Sequence, residues 1–162
     1  MGDWTPEAQG VRINGWNFYW YHLFQEYFLE LLSEVEQLAK QDPDGFHHHY
    51  LYKHLDCVSD AIENRIAIDP LHKDFLLGNT LGKQNRHWRR VKRGMPNRYR
   101  MFFQCRKVPE ANVVIAWIND KNTLRKAGSR TDVYEVFKKM LKNGTIPGSI
   151  EELIEATRTA SA

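Results

Sequence analysis

Apolar residues recur at helical spacing in the first half of the chain, where two helices are predicted. Over residues 22–41 every third or fourth position is apolar and glutamates line the opposite face, which indicates an amphipathic helix that ends before Asp42-Pro43. The same spacing returns over residues 46–66 and predicts a second helix. The preceding segment, residues 11–21, is rich in aromatic and β-branched residues and predicts a strand.

The hydrophobic period changes to that of strands after residue 85. Three strands are predicted, at residues 88–93, 98–108 and 112–118. Residues 94–97, Gly-Met-Pro-Asn, have the composition of a hairpin turn between the first two. The third strand is apolar throughout, which is typical of a central strand that is buried on both faces.

Two further helices are predicted after the strands. The first covers residues 131–142 with Asp132 in its first turn, and Ser149-x-x-Glu152 forms a capping box for the second. The element order β-α-α-β-β-β-α-α predicts an α+β fold with helices packed on one sheet. Residues 71–85 are predicted to form a long loop, and such loops in compact domains are often functional.

The length of 162 residues and the hydrophobic content of 42% predict a single domain with its own core. We expect this domain to span residues 11–157, between a flexible polar arm at residues 1–10 and a flexible tail at residues 158–162. No secretory signal or membrane span is visible in the sequence, and we expect a cytoplasmic protein. Cys57 and Cys105 fit small core residues in a reducing compartment, although a disulfide between them is left open.

Charge is distributed unevenly along the chain. The first 74 residues carry 13 acidic and 5 basic side chains, whereas the other 88 carry 7 acidic and 18 basic ones. No Asp or Glu lies between Phe75 and Pro109, where ten basic residues are found: Lys83, Arg86, Arg89, Arg90, Lys92, Arg93, Arg98, Arg100, Arg106 and Lys107. A positive surface without interspersed carboxylates is typical of proteins that bind a polyanion, most often a nucleic acid.

The alternation of side chains along a strand assigns these basic residues to faces. Trp88, Arg90 and Lys92 share one face of the first basic strand, and Arg98 and Arg100 share one face of the second. If the hairpin register aligns the two faces, Arg90, Lys92 and Arg100 form one patch. Further candidates follow the third strand: Asp120, Arg125, Arg130 and Tyr134.

Such a set of residues suits RNA cleavage without a metal ion. The ribose 2′-hydroxyl attacks the neighbouring phosphorus, and guanidinium groups already in place stabilise the extra negative charge of the phosphorane. Lysine and tyrosine side chains can serve as general base and acid in strongly positive surroundings. A pair of carboxylates for metal binding is hard to find in the basic region, which disfavours a two-metal nuclease.

Simpler interpretations compete with a catalytic one. The basic strands could form a binding face without catalysis, so the alternative function is a nucleic-acid- or ribosome-binding module. Tyr134 lies on an apolar helical stripe and could be a core residue, while Arg130 could cap a helix or pair with Asp132. Histidines 47–49 suggest zinc, but adjacent residues on a helix point in different directions. The stripe of Glu26, Glu30 and Glu34 could dock a basic partner.

Four runs of residues carry a family resemblance: 88–94 (WRRVKRG), 98–103 (RYRMFF), 116–125 (AWINDKNTLR) and 131–137 (TDVYEVF). They resemble the YhaV family of bacterial toxins, which belongs to the RelE-like superfamily of toxin ribonucleases. The resemblance extends over roughly residues 11–155. It implies a RelE-like single α+β domain, with a mainly antiparallel sheet on which two N-terminal helices and the C-terminal helices pack.

The resemblance also implies roles for individual residues. Arg100 corresponds to the catalytic sheet arginine, Tyr134 to the catalytic helix tyrosine, and Arg90 with Lys92 to the preceding basic pair. Arg125 ranks first for a phosphate-binding role that Lys126 or Arg130 could also take. We further expect RNA contacts from Lys83, Arg86, Arg89, Arg93, Arg98 and Arg130, and support from Trp88, Asp120 and Asp132.

A toxin of this kind belongs to a type II toxin–antitoxin system. The resemblance implies metal-independent cleavage of RNA, which inhibits translation and growth, and neutralisation by a PrlF-type antitoxin with an AbrB-like fold. We expect the antitoxin to cover the positive strands. The expected substrate is RNA, including ribosome-associated mRNA, and the complex of toxin and antitoxin is expected to bind operator DNA. Neither a cofactor nor a membrane partner is expected.

Overall fold

The computed structural model describes residues 2–161, which form the α+β fold expected from the sequence. The helices are α1 (His22–Gln41), α2 (Tyr50–Ala61), α3 (Val133–Lys142) and α4 (Ile150–Ser161). The strands are β1 (Val11–Ile13), β2 (Trp16–Trp20), β3 (Arg89–Val91), β4 (Met101–Arg106) and β5 (Asn112–Ile118). None of the helices in the described residues is long and apolar enough to cross a bilayer.

The five strands form one sheet in the order β1-β2-β5-β4-β3. β2 runs parallel to β5 and the other neighbours are antiparallel, which confirms the prediction of a mainly antiparallel sheet. The apolar strand β5 lies at the centre, as its composition predicts. The basic strand β3 lies at one edge, next to β4, so that the positive charge is concentrated on one side of the sheet.

Helices cover both faces of this sheet. On one face α1 and α2 contribute Phe24, Phe28 and Val58 to a core that contains Phe103 and Ile115 of the strands. On the other face α3 and α4 pack residues such as Phe137 and Leu153 onto Phe102, Val114 and Ala116. This arrangement confirms that the N-terminal and C-terminal helices pack on the sheet. The apolar strand residues between the helices are buried, so the exposed basic residues of the predicted basic strands lie mainly in the connection between β3 and β4.

The segment at residues 11–21 is not one strand but the hairpin of β1 and β2. Its turn residues, Asn14 and Gly15, have φ angles of 49° and 86°. A two-residue hairpin turn requires this left-handed conformation at both positions, and Asn-Gly is the dipeptide that adopts it most readily. The chain therefore reverses where the composition alone suggested a continuous strand.

The second predicted helix is interrupted near its start. His49 has an extended backbone, with φ −74° and ψ 143°, and its Nδ1 accepts a hydrogen bond of 3.1 Å from the backbone nitrogen of Leu51. It therefore caps α2, and Phe46–His48 form a separate 3-10 turn. After α2 the helix continues as one π-helical turn, Ile62–Ile66.

The predicted N-terminal arm packs on the domain. Trp4 is 5% exposed and stacks on Trp20 with 5.4 Å between ring centroids. The side chain of Gln9 donates to the carbonyl of Trp20 and accepts from its backbone nitrogen, at 2.8 and 2.7 Å. The prediction of an untethered arm is therefore wrong for residues 4–9. At the other end α4 extends to Ser161, so the predicted domain boundary at residue 157 falls inside a helix.

The basic strands are shorter than predicted. β3 ends at Val91 and β4 begins at Met101, so residues 92–100 form a longer connection than the predicted four-residue turn. The predicted loop at residues 71–85 contains two 3-10 turns, Lys73–Phe75 and Lys83–Asn85, and its residues Leu77 and Leu81 are buried. Thr80 of residues 71–85 and Arg100 of residues 92–100 contribute to the candidate site.

Candidate active site

The pairing of β3 with β4 and the start of α3 create the candidate site. Arg90 lies opposite Phe102 in the sheet register, so both side chains face α3. Tyr134 is the second residue of α3, and its ring meets Phe102 edge-on with 5.9 Å between centroids. This contact holds the tyrosine ring in the core and directs its hydroxyl towards the end of the basic strands.

Two guanidinium groups share the hydroxyl of Tyr134. Nη1 of Arg90 donates to it at 2.8 Å, and Nε of Arg100 donates at 3.2 Å. The guanidinium carbon of Arg90 also lies 5.4 Å from the centre of the tyrosine ring. Arg125 approaches the same ring at 5.0 Å. Cation–π contacts of this kind stabilise the arrangement by about 0.5–2 kcal/mol each.

The charges of these arginines are only partly balanced. Arg125 forms an ion pair with Asp132, with 2.8 Å between Nη1 and Oδ1. Within residues 2–161, neither Arg90 nor Arg100 forms an ion pair with a carboxylate, and the buried Nε of Arg90 has no hydrogen-bond partner. Three guanidinium groups thus gather around one ring with one carboxylate beside them. An anion such as a phosphodiester would supply the missing negative charge.

Asp132 organises the segment that carries Arg125. It is 2% exposed, and its carboxylate accepts hydrogen bonds from the backbone nitrogens of Lys126 at 2.6 Å and Tyr134 at 3.1 Å. Burial acts to raise the pKa of this carboxyl group, but the hydrogen bonds from Arg125, Lys126 and Tyr134 outweigh it and lower the pKa. The carboxylate therefore caps α3 and restrains Arg125.

Asn119 has a structural role that the sequence analysis missed. This fully buried residue directly follows β5, and its Oδ1 accepts a hydrogen bond of 2.8 Å from the backbone nitrogen of Arg100. Its Nδ2 donates to the carbonyls of Arg98 at 3.2 Å and Thr123 at 2.7 Å. Asn119 thus ties the start of β4 to the loop after β5. The sequence feature that could have indicated this role is an amide residue directly after the apolar run at residues 113–118.

A cleft of about 440 Å³ adjoins the arginine cluster. Its walls include Arg125 and Tyr134 from the cluster, Arg130 from the loop before α3, and Thr80 from the segment 71–85. Arg130 is exposed there and does not pair with Asp132, which instead pairs with Arg125. The cleft therefore places a further cation beside the cluster.

Several predicted residues lie outside the cluster. Lys92 follows the end of β3 and is exposed, as are Lys83, Arg86, Arg93 and Arg98. Arg89 projects from the opposite face of β3, where it lies near Cys105. Burial raises the pKa of the Cys105 thiol, and the positive charge of Arg89 reduces this rise. Asp120 accepts from Asn122 and Thr123 in its own turn, and Trp88 is fully buried against Phe137.

Acidic, histidine and cysteine side chains are also dispersed. In the part of the chain that the structure describes, no group of three or more of them is arranged to hold a metal ion.

Of the predicted site residues, the structure brings together Arg90, Arg100, Arg125 and Tyr134, with Arg130 close by.

Comparisons with known proteins show the family to which this chain is similar. Residues 18–158 match the model of a family described as a toxin with endonuclease activity, of a toxin–antitoxin system. The chain is 41% identical over 147 residues to Toxin YhaV of Escherichia coli O6:H1 (strain CFT073). The aligned residues make up 90% of this chain and 94% of the relative. The same values hold for Ribonuclease toxin YhaV of Escherichia coli K12. No solved structure matches.

Proposed function

The chain belongs to the YhaV family of toxins with endonuclease activity, and we propose that it cleaves RNA at the cluster of Arg90, Arg100, Arg125 and Tyr134. RNA is proposed as the substrate because the Escherichia coli K12 relative is named a ribonuclease toxin. The observation that carries the proposal is the shared hydroxyl of Tyr134, on which two guanidinium groups without carboxylate partners converge. Such a site attracts a phosphodiester and opposes the charge that develops on it.

The proposed reaction is an attack of the ribose 2′-oxygen on the adjacent phosphorus, and the 2′-hydroxyl gives its proton to a solvent water molecule. The new P–O2′ bond forms as the P–O5′ bond breaks, which leaves a 2′,3′-cyclic phosphate and a 5′-hydroxyl end. Arg90 and Arg100 have further N–H donors for the phosphate oxygens and stabilise the phosphorane. These cations supply the electrostatic stabilisation, so we expect cleavage without a metal ion.

Tyr134 is the proposed general acid. Its oxygen accepts hydrogen bonds from Arg90 and Arg100, so its own proton is directed away from both guanidinium groups. The adjoining cleft is where a leaving 5′-oxygen could accept that proton. A positioned acid of this type contributes about 10²- to 10⁴-fold to the rate.

The partners follow from membership of a toxin–antitoxin family, which implies an antitoxin. We propose an antitoxin of the PrlF type that covers the positive strands, because its carboxylates would then occupy the phosphate site. We also propose ribosome-associated mRNA as the substrate and operator DNA as the target of the complex.

The decisive experiment incubates the purified protein with a defined RNA in the presence of EDTA. We expect cleavage with 2′,3′-cyclic phosphate or 3′-phosphate ends, and Arg100→Ala should lower the rate by about 10²-fold or more and abolish growth arrest. Arg12→Ala, which removes an exposed arginine of β1 at the opposite edge of the sheet from β3, is the matched control and should retain most activity. Circular dichroism verifies that both variants fold.

The outcomes separate the alternatives. Intact RNA with folded wild-type protein, together with salt-dependent RNA binding, would favour a binding module instead of a nuclease. Cleavage that is absent in EDTA and occurs only when a divalent cation is added in excess would overturn the metal-independent mechanism. Full toxicity of Arg100→Ala would remove Arg100 from the site.

A further inference from the structure

A second cavity lies on the opposite face of the sheet, between α1, α2 and the connection from β3 to β4. We name it the α1–α2 groove; its volume is about 710 Å³. Leu31 and Tyr27 of α1, Leu51 of α2 and Tyr99 from the connection form its apolar lining. A groove between two helices with an apolar floor is the usual receptor for an amphipathic segment of another protein.

The rim of this groove carries three carboxylates and two lysines. Glu30 and Glu34 project from the exposed stripe of α1, and Asp120 projects from the loop after β5. Two lysines, Lys53 and Lys121, complete the rim. The groove belongs largely to the acidic part of the chain, in which 13 acidic and 5 basic residues lie among the first 74. This charge is complementary to a segment that carries lysine or arginine beside its apolar residues.

A large apolar side chain stands exposed at the edge of the groove. Tyr50 lines the cavity and is 72% exposed. Tyrosine is among the residues that contribute most to protein–protein interfaces, because its ring buries a large area while its hydroxyl remains hydrogen-bonded. Its exposure beside an apolar cavity fits a surface that a partner covers.

The groove also shares residues with the segments that hold the active site. Tyr99 lines the groove, and its carbonyl accepts a hydrogen bond of 2.9 Å from Nη1 of the neighbouring Arg100. On the groove side, the ring of Tyr99 meets His54 edge-on at 4.8 Å. Asp120 follows Asn119, which binds the backbone nitrogen of Arg100. A ligand in the groove therefore contacts both segments that position Arg100.

From these observations we propose that the α1–α2 groove docks a basic amphipathic segment of the antitoxin. Its apolar side chains fill the groove and its cations meet Glu30, Glu34 and Asp120. Docking there contacts Tyr99 and thereby restrains the segment that carries Arg100. The identity of the partner rests on the proposed function, since only a toxin requires an antitoxin, whereas the location and chemistry of the surface rest on the groove itself.

The test measures the affinity of the purified antitoxin encoded with this toxin for variants of the groove. Tyr50→Asp and Glu34→Lys should each weaken binding by about tenfold or more, because one removes an apolar anchor and the other reverses a rim charge. Both residues are exposed and lie outside the catalytic cluster, so RNA cleavage should stay within twofold of the wild type. In cells that produce either variant, the antitoxin should no longer restore growth fully.

Matched controls change equivalent side chains outside the groove. Ile68→Asp replaces another exposed apolar residue, 61% exposed, and Glu36→Lys reverses another exposed charge of α1. Both should bind the antitoxin with wild-type affinity. As an independent measurement, the antitoxin should slow alkylation of Cys57, which lines the groove, in a Cys105→Ser variant.

The outcomes are distinct from those of the proposed function. Wild-type affinity of both groove variants, or unchanged alkylation of Cys57, would overturn the docking proposal even if the RNA is cleaved. Loss of a homodimer in Tyr50→Asp, with antitoxin affinity unchanged, would identify a second copy of this chain as the occupant and also overturn it. If the wild-type protein does not cleave RNA but the groove variants bind the antitoxin more weakly, only the nuclease proposal is overturned.

Discussion

Tyr134 belongs to the core and to the candidate site at the same time. Its ring is 6% exposed and packs edge-on against Phe102, as expected of an aromatic residue on an apolar helical stripe. Its hydroxyl lies at the other end of the side chain, between Arg90 and Arg100. The core interpretation and the catalytic interpretation of this residue are therefore compatible, because they concern different atoms.

Replacement of Tyr134 by phenylalanine separates the two roles. Tyr134→Phe keeps the ring packing but removes the hydroxyl, so we expect RNA cleavage to slow by about 10²-fold or more. The lost hydrogen bonds from Arg90 and Arg100 should lower the free energy of unfolding by only about 1–3 kcal/mol, so the variant still folds. Single-turnover cleavage and thermal unfolding measure the two effects. Tyr21→Phe is the matched control, since its buried hydroxyl donates to the carbonyl of Thr145 at 2.7 Å, away from the cluster.

The control should lose stability without losing activity. Tyr21→Phe should lower the free energy of unfolding by about 1 kcal/mol through the lost hydrogen bond and leave cleavage unchanged. Equal cleavage by Tyr134→Phe and the wild type would show that the hydroxyl takes no part in the reaction.

At the scale of elements, the start of α3 links the helix to the arginine cluster. Asp132 is the N-cap of α3, and its carboxylate accepts a hydrogen bond from the backbone nitrogen of Tyr134. The same carboxylate accepts hydrogen bonds from the side chain of Arg125 and the backbone nitrogen of Lys126. One buried carboxylate thus begins the helix, orders the preceding loop and fixes one guanidinium group. A helix that carries a catalytic residue in its first turn gains a defined position from such a cap.

The Asp132→Asn variant should lose stability in a pH-dependent way. Asparagine has only one acceptor oxygen, so it cannot accept from Arg125 and Lys126 and also cap the backbone nitrogen of Tyr134, which bonds the second carboxylate oxygen. We therefore expect a loss of about 2 kcal/mol at pH 7. Because the pKa of Asp132 is lowered in the folded protein, its contribution is complete above about pH 5 and is lost as the pH falls below about 4. Urea unfolding of both proteins between pH 7 and pH 2 measures the difference, and a gap that stays constant over this range would contradict the prediction.

At the scale of the whole molecule, the two halves of the chain carry opposite charge. Two acidic residues of α1, Glu30 and Glu34, lie on the rim of the α1–α2 groove, and the exposed basic residues Lys92, Arg93 and Arg98 lie in the connection that leads to Arg100. The groove and the arginine cluster lie on different faces of the sheet. The two proposals therefore assign RNA and the antitoxin to separate surfaces of one molecule.

The exposed basic residues around the cluster should determine the salt dependence of RNA binding. For a single strand the logarithm of affinity falls with the logarithm of salt concentration by about 0.7 for each phosphate contact. We expect Lys92→Ala and Arg93→Ala each to reduce this slope by about 0.7, as measured with 2′-O-methyl RNA that cannot be cleaved. Lys40→Ala, in the acidic half, should leave the slope unchanged. Identical slopes for all the proteins would place the RNA elsewhere.

Local patterns in the sequence determined the regular elements. The limits of α1 and β5 are those that the apolar spacing and the apolar run predict, residues 22–41 and 112–118. The capping box at Ser149 and Glu152 is also present, because its hydrogen bonds join residues three apart. The family resemblance led to Arg90, Arg100, Arg125 and Tyr134, whose catalytic roles remain predictions.

Tertiary structure decided which distant residues meet. Arg90 reaches Tyr134 but Lys92 does not, because β3 ends at Val91, and no local pattern indicated that end. Asn119 contacts Arg100 because β5 lies beside β4. Trp4 packs on Trp20 through contacts that a polar segment did not suggest. Hydrophobic periodicity encodes the buried face of each element, whereas distances between elements depend on strand order, register and long-range packing.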